Sequence, residues 1–114
     1  MRIHHIALRT RDLPRLEAFY ARVLGLVVTR RDGERSVWLR SGDAIVMLEL
    51  AGQDEPAVPA GTRELVAFAI ETEERAERER ALADRGIAIE ARTDFTLYFR
   101  DPDGRRLALS CYCE

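Results

Sequence analysis

The chain is written twice, which limits its fold more than any other feature. His5-Ile6-Ala7-Leu8 opens the first half and Leu65-Val66-Ala67-Phe68 opens the second, sixty positions later. Val37-Trp38-Leu39-Arg40 returns at the same offset as Leu97-Tyr98-Phe99-Arg100. Leu48-Glu49-Leu50 is echoed, one residue out of step, by Leu107-Ala108-Leu109. A repeat of about half the chain implies two similar supersecondary units related by a pseudo-two-fold. The copies differ in one chemical respect. The first has two good metal ligands, His5 and Glu49, where the second has Leu65 and Ala108.

A chain of 114 residues is enough for one domain with one modest core. With 46% hydrophobic and 33% charged residues it reads as an ordinary globular protein. A net charge of -2 gives no basic footprint for nucleic acid. Lysine and asparagine are absent, a matter of composition rather than chemistry. No apolar run is long enough to span a membrane, and Met1-Arg2-Ile3-His4-His5 enters a strand without a leader segment. Cys111 and Cys113 are neighbours on one strand face and badly placed to bridge each other, so a reduced cytoplasm is the expected setting.

Alternation over 3–10 predicts a strand with Ile6 and Leu8 on one face and His5, Ala7 and Arg9 on the other. Asp12 is placed to cap a helix whose apolar positions are Leu16, Phe19, Tyr20, Val23 and Leu24, with Gly25 as its stop. Strands follow over 26–30, 36–40 and 44–50, making the first module (1–50) β-α-β-β-β. Residues 51–63 are rich in Pro, Gly and acidic residues without periodicity and form a linker. The second module (64–114) repeats the order: a strand over 64–70, a helix capped by Thr72 and ending at Gly86, then strands over 87–91, 95–100 and 105–112. That helix is heavily charged, with only Ala76, Leu82 and Ala83 expected inward. The Asp101-Pro102-Asp103-Gly104 turn joins the last two strands.

His-Ile-Ala-Leu on the first strand, Asp12-Leu13 with Ala18-Phe19-Tyr20 and Leu24-Gly25, and Phe99-Arg100-Asp101-Pro102-Asp103-Gly104 together resemble the vicinal oxygen chelate superfamily. Its members include glyoxalases, bleomycin-resistance proteins, fosfomycin-resistance transferases and extradiol dioxygenases. The resemblance covers nearly the whole chain. It implies an α+β fold of two βαβββ modules, whose eight strands form a curved, open barrel-like sheet around a cavity. It also implies a homodimer. Metal-dependent members bind a divalent ion (Ni, Zn, Mn or Fe) through a His opening and a Glu ending each module. Carried over, those positions fall on His5, Glu49, Leu65 and Ala108.

Two protein groups are fewer than a tight site for such an ion needs. The expectation is therefore a degenerate metal site with no cofactor required, and His5 is expected to bond Glu49 across the sheet. His4 is expected to point away from His5. Alternation places Ile6, Leu8, Val37, Leu39, Val46, Leu48, Val66, Phe68, Leu97, Phe99, Leu107 and Leu109 on a helix-facing core side. The opposite side carries the candidate ligand-binding residues Arg9, Trp38, Arg40, Met47, Leu65, Tyr98, Arg100 and Ala108: flat surfaces for stacking, a few donors, and room. Two readings of Arg9 stay open. By resemblance to glyoxalases it contacts an anionic substrate group; otherwise it forms a surface salt bridge. The expected function is binding of a small aromatic or anionic molecule in a dimer cavity. The alternative is a metal-dependent lyase, isomerase or dioxygenase at His5 and Glu49.

Overall fold

The computed structural model describes residues 1–113, and its chain divides into two compact units, Met1–Ala57 and Val58–Glu114. The division falls inside the segment read as a linker.

In the first unit, β1 (His5–Thr10) leads into α1 (Leu13–Ala18), followed by β2 (Val27–Asp32), β3 (Ser36–Ser41) and β4 (Ala44–Leu50). The sheet order is β1-β4-β3-β2, with β1 parallel to β4 and the other pairs antiparallel. Helix and cap follow the sequence: the Asp12 carboxylate accepts from the Arg15 amide at 3.1 Å, and Pro14 occupies the first turn, where its missing N–H costs nothing. The helical run then widens into a π-turn over Phe19–Val23 that buries Phe19 and Tyr20, and Gly25 ends it at φ 76°.

The second unit repeats the plan with β5 (Leu65–Ala69), α2 (Arg75–Asp84), β6 (Ala91–Arg92), β7 (Thr96–Arg100) and β8 (Arg106–Ser110), in the order β5-β8-β7-β6. The fold class is thus α+β, two βαβββ modules whose eight strands are hydrogen-bonded as two four-stranded sheets. Glu71, not Thr72, caps the second helical segment. Its side chain and that of Glu74 form a reciprocal capping box over a 3-10 turn at Thr72–Glu74. Leu82 is buried, but Ala76 and Ala83 face water and the half-buried alanine is Ala81. The strand expected over 87–91 shrinks to two residues.

The cores lie on the predicted side of each sheet. Val37, Leu39, Val46 and Leu48 are buried in the first unit, as are Leu97, Phe99, Leu107 and Leu109 in the second. Ile6, Leu8, Val66 and Phe68, on the parallel edge strands, are only half-buried.

The two hairpins differ by one residue, and this resets the internal alignment. Ser41 pairs with Ala44 across a two-residue turn, so four residues separate the paired Arg40 and Ile45. Five separate the paired Arg100 and Arg106, because Asp101 builds a longer turn. The buried Asp101 carboxylate accepts from the amides of Asp103 and Arg105 at 2.8 and 3.0 Å and from the Arg105 guanidinium at 3.2 Å. The offset between copies therefore changes from 60 on β1/β5 to 61 on β4/β8. Glu49, opposite Arg9 and Ser36, corresponds to Ser110, opposite Ala69 and Thr96. Ala108 corresponds to Met47, not to Glu49.

Candidate functional site

On each sheet, the face opposite the core carries the residues that the alternation singled out. In the first unit, one row across the strands runs Arg30, Trp38, Met47, Ala7. Trp38 is half-buried in the middle of this face. From the β2 side the Arg30 guanidinium lies over the indole, 5.2 Å from its centroid. From the β1 side the His5 ring stacks on it at 6.5 Å with an interplanar angle of 15°. Both separations are within the range at which rings and cations attract an indole. Met47, half-buried, and Ala7, small and exposed, give this row an apolar floor. Arg40 is exposed in the next row, opposite Ile45 and Val27, and its side chain makes no hydrogen bond or ion pair among the described residues.

His5 does not bond Glu49. The parallel register sets His5 opposite Ile45 and Glu49 opposite Arg9, four positions farther along β4. At the rise of a strand this is about 13 Å, beyond the reach of either side chain. Nor does His4 point away: its Nδ1 and that of His5 are 2.9 Å apart, and the two exposed rings meet edge to face. His4 precedes β1, so strict alternation does not bind it.

Arg9 is engaged within the chain. Its Nε and Nη2 donate to both oxygens of Glu55 at 2.9 to 3.3 Å, and its Nη1 donates to Glu49 at 3.3 Å. The ion pair with Glu55 holds that carboxyl below its ordinary value and raises the guanidinium further. Of the two readings of Arg9, the salt bridge is the one formed. Neighbouring Arg11 reaches the backbone carbonyls of Gln53 and Glu55, so β1 and the chain around residue 55 are tied twice.

The donors in either unit, taken by itself, do not fit a divalent ion. His5 and Glu49 are too far apart, Glu49 is paired with Arg9, and Leu65 and Ala108 offer hydrocarbon. Among the described residues no three His, Cys, Asp or Glu side chains converge.

The second unit has the matching row Tyr98, Ala108, Ala67. Ala108 is completely buried, whereas Leu65, at the strand start, is 43% exposed. A cation again covers the aromatic ring, but from another strand: Arg106 of β8 lies 4.3 Å from the Tyr98 centroid. Arg100 and Arg106 share Glu90, which sequence reasoning did not single out. Their guanidiniums, Arg100 more than Arg106, hold its carboxyl below the usual carboxylate range. An isolated Glu between two short apolar stretches carries no signal; only the register of β6 on β7 brings it to these arginines.

A second feature missed by the pattern is a groove of about 520 Å³ on the helix side of the first sheet, lined by Leu13, Pro14, Glu17, Arg31, Val37 and Leu50 among others. It lies on the opposite side of the sheet from Trp38, and an Arg31–Glu17 ion pair forms part of its wall.

Residues 2–109 match the model of a family described as the Glyoxalase/Bleomycin resistance protein/Dioxygenase superfamily. No curated protein matches the sequence. Among solved structures, a glyoxalase/dioxygenase from Nostoc punctiforme superposes with a TM-score of 0.85 at 22% identity, covering 99% of this chain and 92% of its own. A lactoylglutathione lyase from Agrobacterium tumefaciens gives a TM-score of 0.76 at 23% identity, covering 96% and 92%. The E126Q mutant of a fosfomycin resistance protein from Listeria monocytogenes, solved with Mn(II) and 1S,2S-dihydroxypropylphosphonic acid, gives 0.81 at 18% identity, covering 98% and 93%. At these identities the likeness establishes the fold.

Proposed function

Because the chain belongs to the Glyoxalase/Bleomycin resistance protein/Dioxygenase superfamily, we propose that it binds a small flat or anionic molecule on the open faces of its sheets and needs no resident metal to do so. What supports this reading is the same arrangement made twice by different residues. An aromatic ring stands mid-sheet with an arginine over it, Arg30 on Trp38 at 5.2 Å and Arg106 on Tyr98 at 4.3 Å. A ring flanked by cationic donors above an apolar floor suits a planar ligand carrying negative charge. Arg40, Met47, Leu65 and Arg100 complete the proposed lining, with the buried Ala108 beneath it, and Arg9, held by Glu49 and Glu55, braces the neighbouring chain rather than the ligand. A homodimer and a cytoplasmic location belong to the same proposal; no helix among the described residues is long and apolar enough to cross a membrane.

Trp38 is the only tryptophan, so its fluorescence reports on the first face alone. Titration with aromatic carboxylates, chosen by a thermal-shift screen that includes aromatic antibiotics and divalent ions, is expected to quench it saturably. Trp38→Leu, followed by ligand-induced thermal shift because it removes the fluorophore, should weaken binding by about 1 kcal/mol or more, the loss of one stacking partner. Absence of quenching by every aromatic anion sinks the reading. Stoichiometric Ni, Zn, Mn or Fe in protein purified without a His tag, lost on His5→Ala, would replace it with the metal-dependent lyase, isomerase or dioxygenase.

A further inference from the structure

We infer that Glu90 occupies, from within the chain, a binding site for the carboxylate or phosphonate group of a ring-bearing ligand, formed by Arg100, Arg106 and Tyr98. The inference rests on the proposed reading and adds to it a location, a ligand group and an internal competitor. Arg100 Nε donates to one Glu90 oxygen at 2.9 Å, and Arg106 Nε donates to the other at 3.1 Å. Two guanidiniums thus grip one carboxylate edge, as they would grip the oxyanion of a ligand.

Both cations keep their places without Glu90. Arg100 also donates through Nη1 to the Thr62 and Gly104 carbonyls, which anchor it from the far side. Arg106 rests on the Tyr98 ring, and its terminal nitrogens make no hydrogen bond among the described residues, leaving donors for a third oxygen. The site is therefore preorganised, which lowers the cost of binding. Beside Tyr98 the row continues through the buried Ala108 to Ala67, which is small and exposed, and Tyr98 itself is half-buried, so the accessible part of its ring is where a ligand ring would meet the site.

Glu90 is the replaceable member. It precedes the two-residue β6, in a stretch without regular structure, and its backbone link to the sheet is the amide bond to the Tyr98 carbonyl at 2.8 Å. Its side chain is 39% exposed, against 13% for Arg106 and 27% for Arg100. Glu90 is the most exposed of the three and can swing its carboxylate into water, provided that another anion takes its place on the less exposed arginines.

The test uses phenylphosphonate, with benzyl alcohol as the neutral ring and inorganic phosphate as the ringless anion. Binding is followed on the wild-type chain through the Nε–Hε NMR signals of Arg100 and Arg106 and the Tyr98 ring signals. These are expected to shift together with phenylphosphonate, less with phosphate and not with benzyl alcohol. Glu90→Gln should tighten phenylphosphonate binding about five-fold, the factor an exposed ion pair is worth. Adding Arg106→Gln should remove that gain. Unchanged or weaker affinity in Glu90→Gln, or stationary arginine signals while ligand binds, overturns the inference. If Glu90→Gln does not fold, the wild-type signals decide. Quenching of Trp38 with stationary Arg100 and Arg106 signals sinks the clamp but leaves the proposed function standing; no response at either place sinks both.

Discussion

Arg9 is on the open face of β1, where alternation alone permits either a ligand or an intramolecular partner. The parallel register supplies the intramolecular partner. It sets Arg9 beside Glu49, and the following turn brings Glu55 onto its other nitrogens. Glu55 in turn accepts from the Gly52 amide at 3.3 Å, while its own amide bonds the Gly52 carbonyl. Arg9 therefore ties 52–55 to β1. Arg9→Gln is expected to speed hydrogen exchange at the Gly52 and Glu55 amides several-fold while leaving aromatic-anion quenching of Trp38 within two-fold or so of wild type. Loss of that quenching together with unchanged exchange would restore Arg9 to the ligand site. The failed pairing of His5 with Glu49 has a related cause. Each residue was placed on the right face, but a face says nothing about position along the strand. His4 escaped alternation altogether because it precedes the strand.

At the level of elements, the succession of strands and helices along the chain, the strand faces and the turns were legible because their signals are local: alternation, Asp12 before Pro14, glycine at helix ends, and Asp-Pro-Asp-Gly. The repeat offset on β4 and β8 was not. Leu-x-Leu matches itself after a slip of two residues, which keeps every side chain on its face, so hydrophobic pattern cannot tell an offset of 59 from 61. Only the longer turn at Asp101 fixes the register. The charged α2 was read as thinly packed, and its one fully buried side chain is Leu82, 1% exposed. Leu82→Ala should therefore destabilise the protein by roughly 2–5 kcal/mol, the range for emptying a buried leucine site, and free residues 75–84 for exchange. A urea midpoint within error of wild type would show that capping and ion pairs, not Leu82, hold α2.

For the whole chain, the absence of lysine makes nearly every cation a fork-shaped guanidinium, and the acidic residues are distributed to meet them. Glu17 pairs with Arg31, Glu55 with Arg9, Glu79 with Arg92 and Glu90 with Arg100 and Arg106. Glu74 is held by the Glu71 amide first and Arg78 second. In all five the folded state holds the carboxyl below its ordinary value. The sign follows directly: a depressed carboxyl stabilises the fold fully above its unfolded value, about 4.3, and that stabilisation is lost as pH falls through the lower folded values. The urea midpoint should thus change little from these groups between pH 7 and 5 and drop steeply below about pH 4. Glu17→Gln should lower the midpoint at pH 7 and narrow the difference between pH 7 and pH 3, because one of the five groups no longer titrates. Each pair keeps one well-exposed member, so salt screens it in part, and 0.5 M NaCl should lower the pH 7 midpoint toward that of the variant. Equal midpoints at pH 7 and 3 would mean that the guanidinium–carboxylate pairs decorate the fold without contributing to its stability.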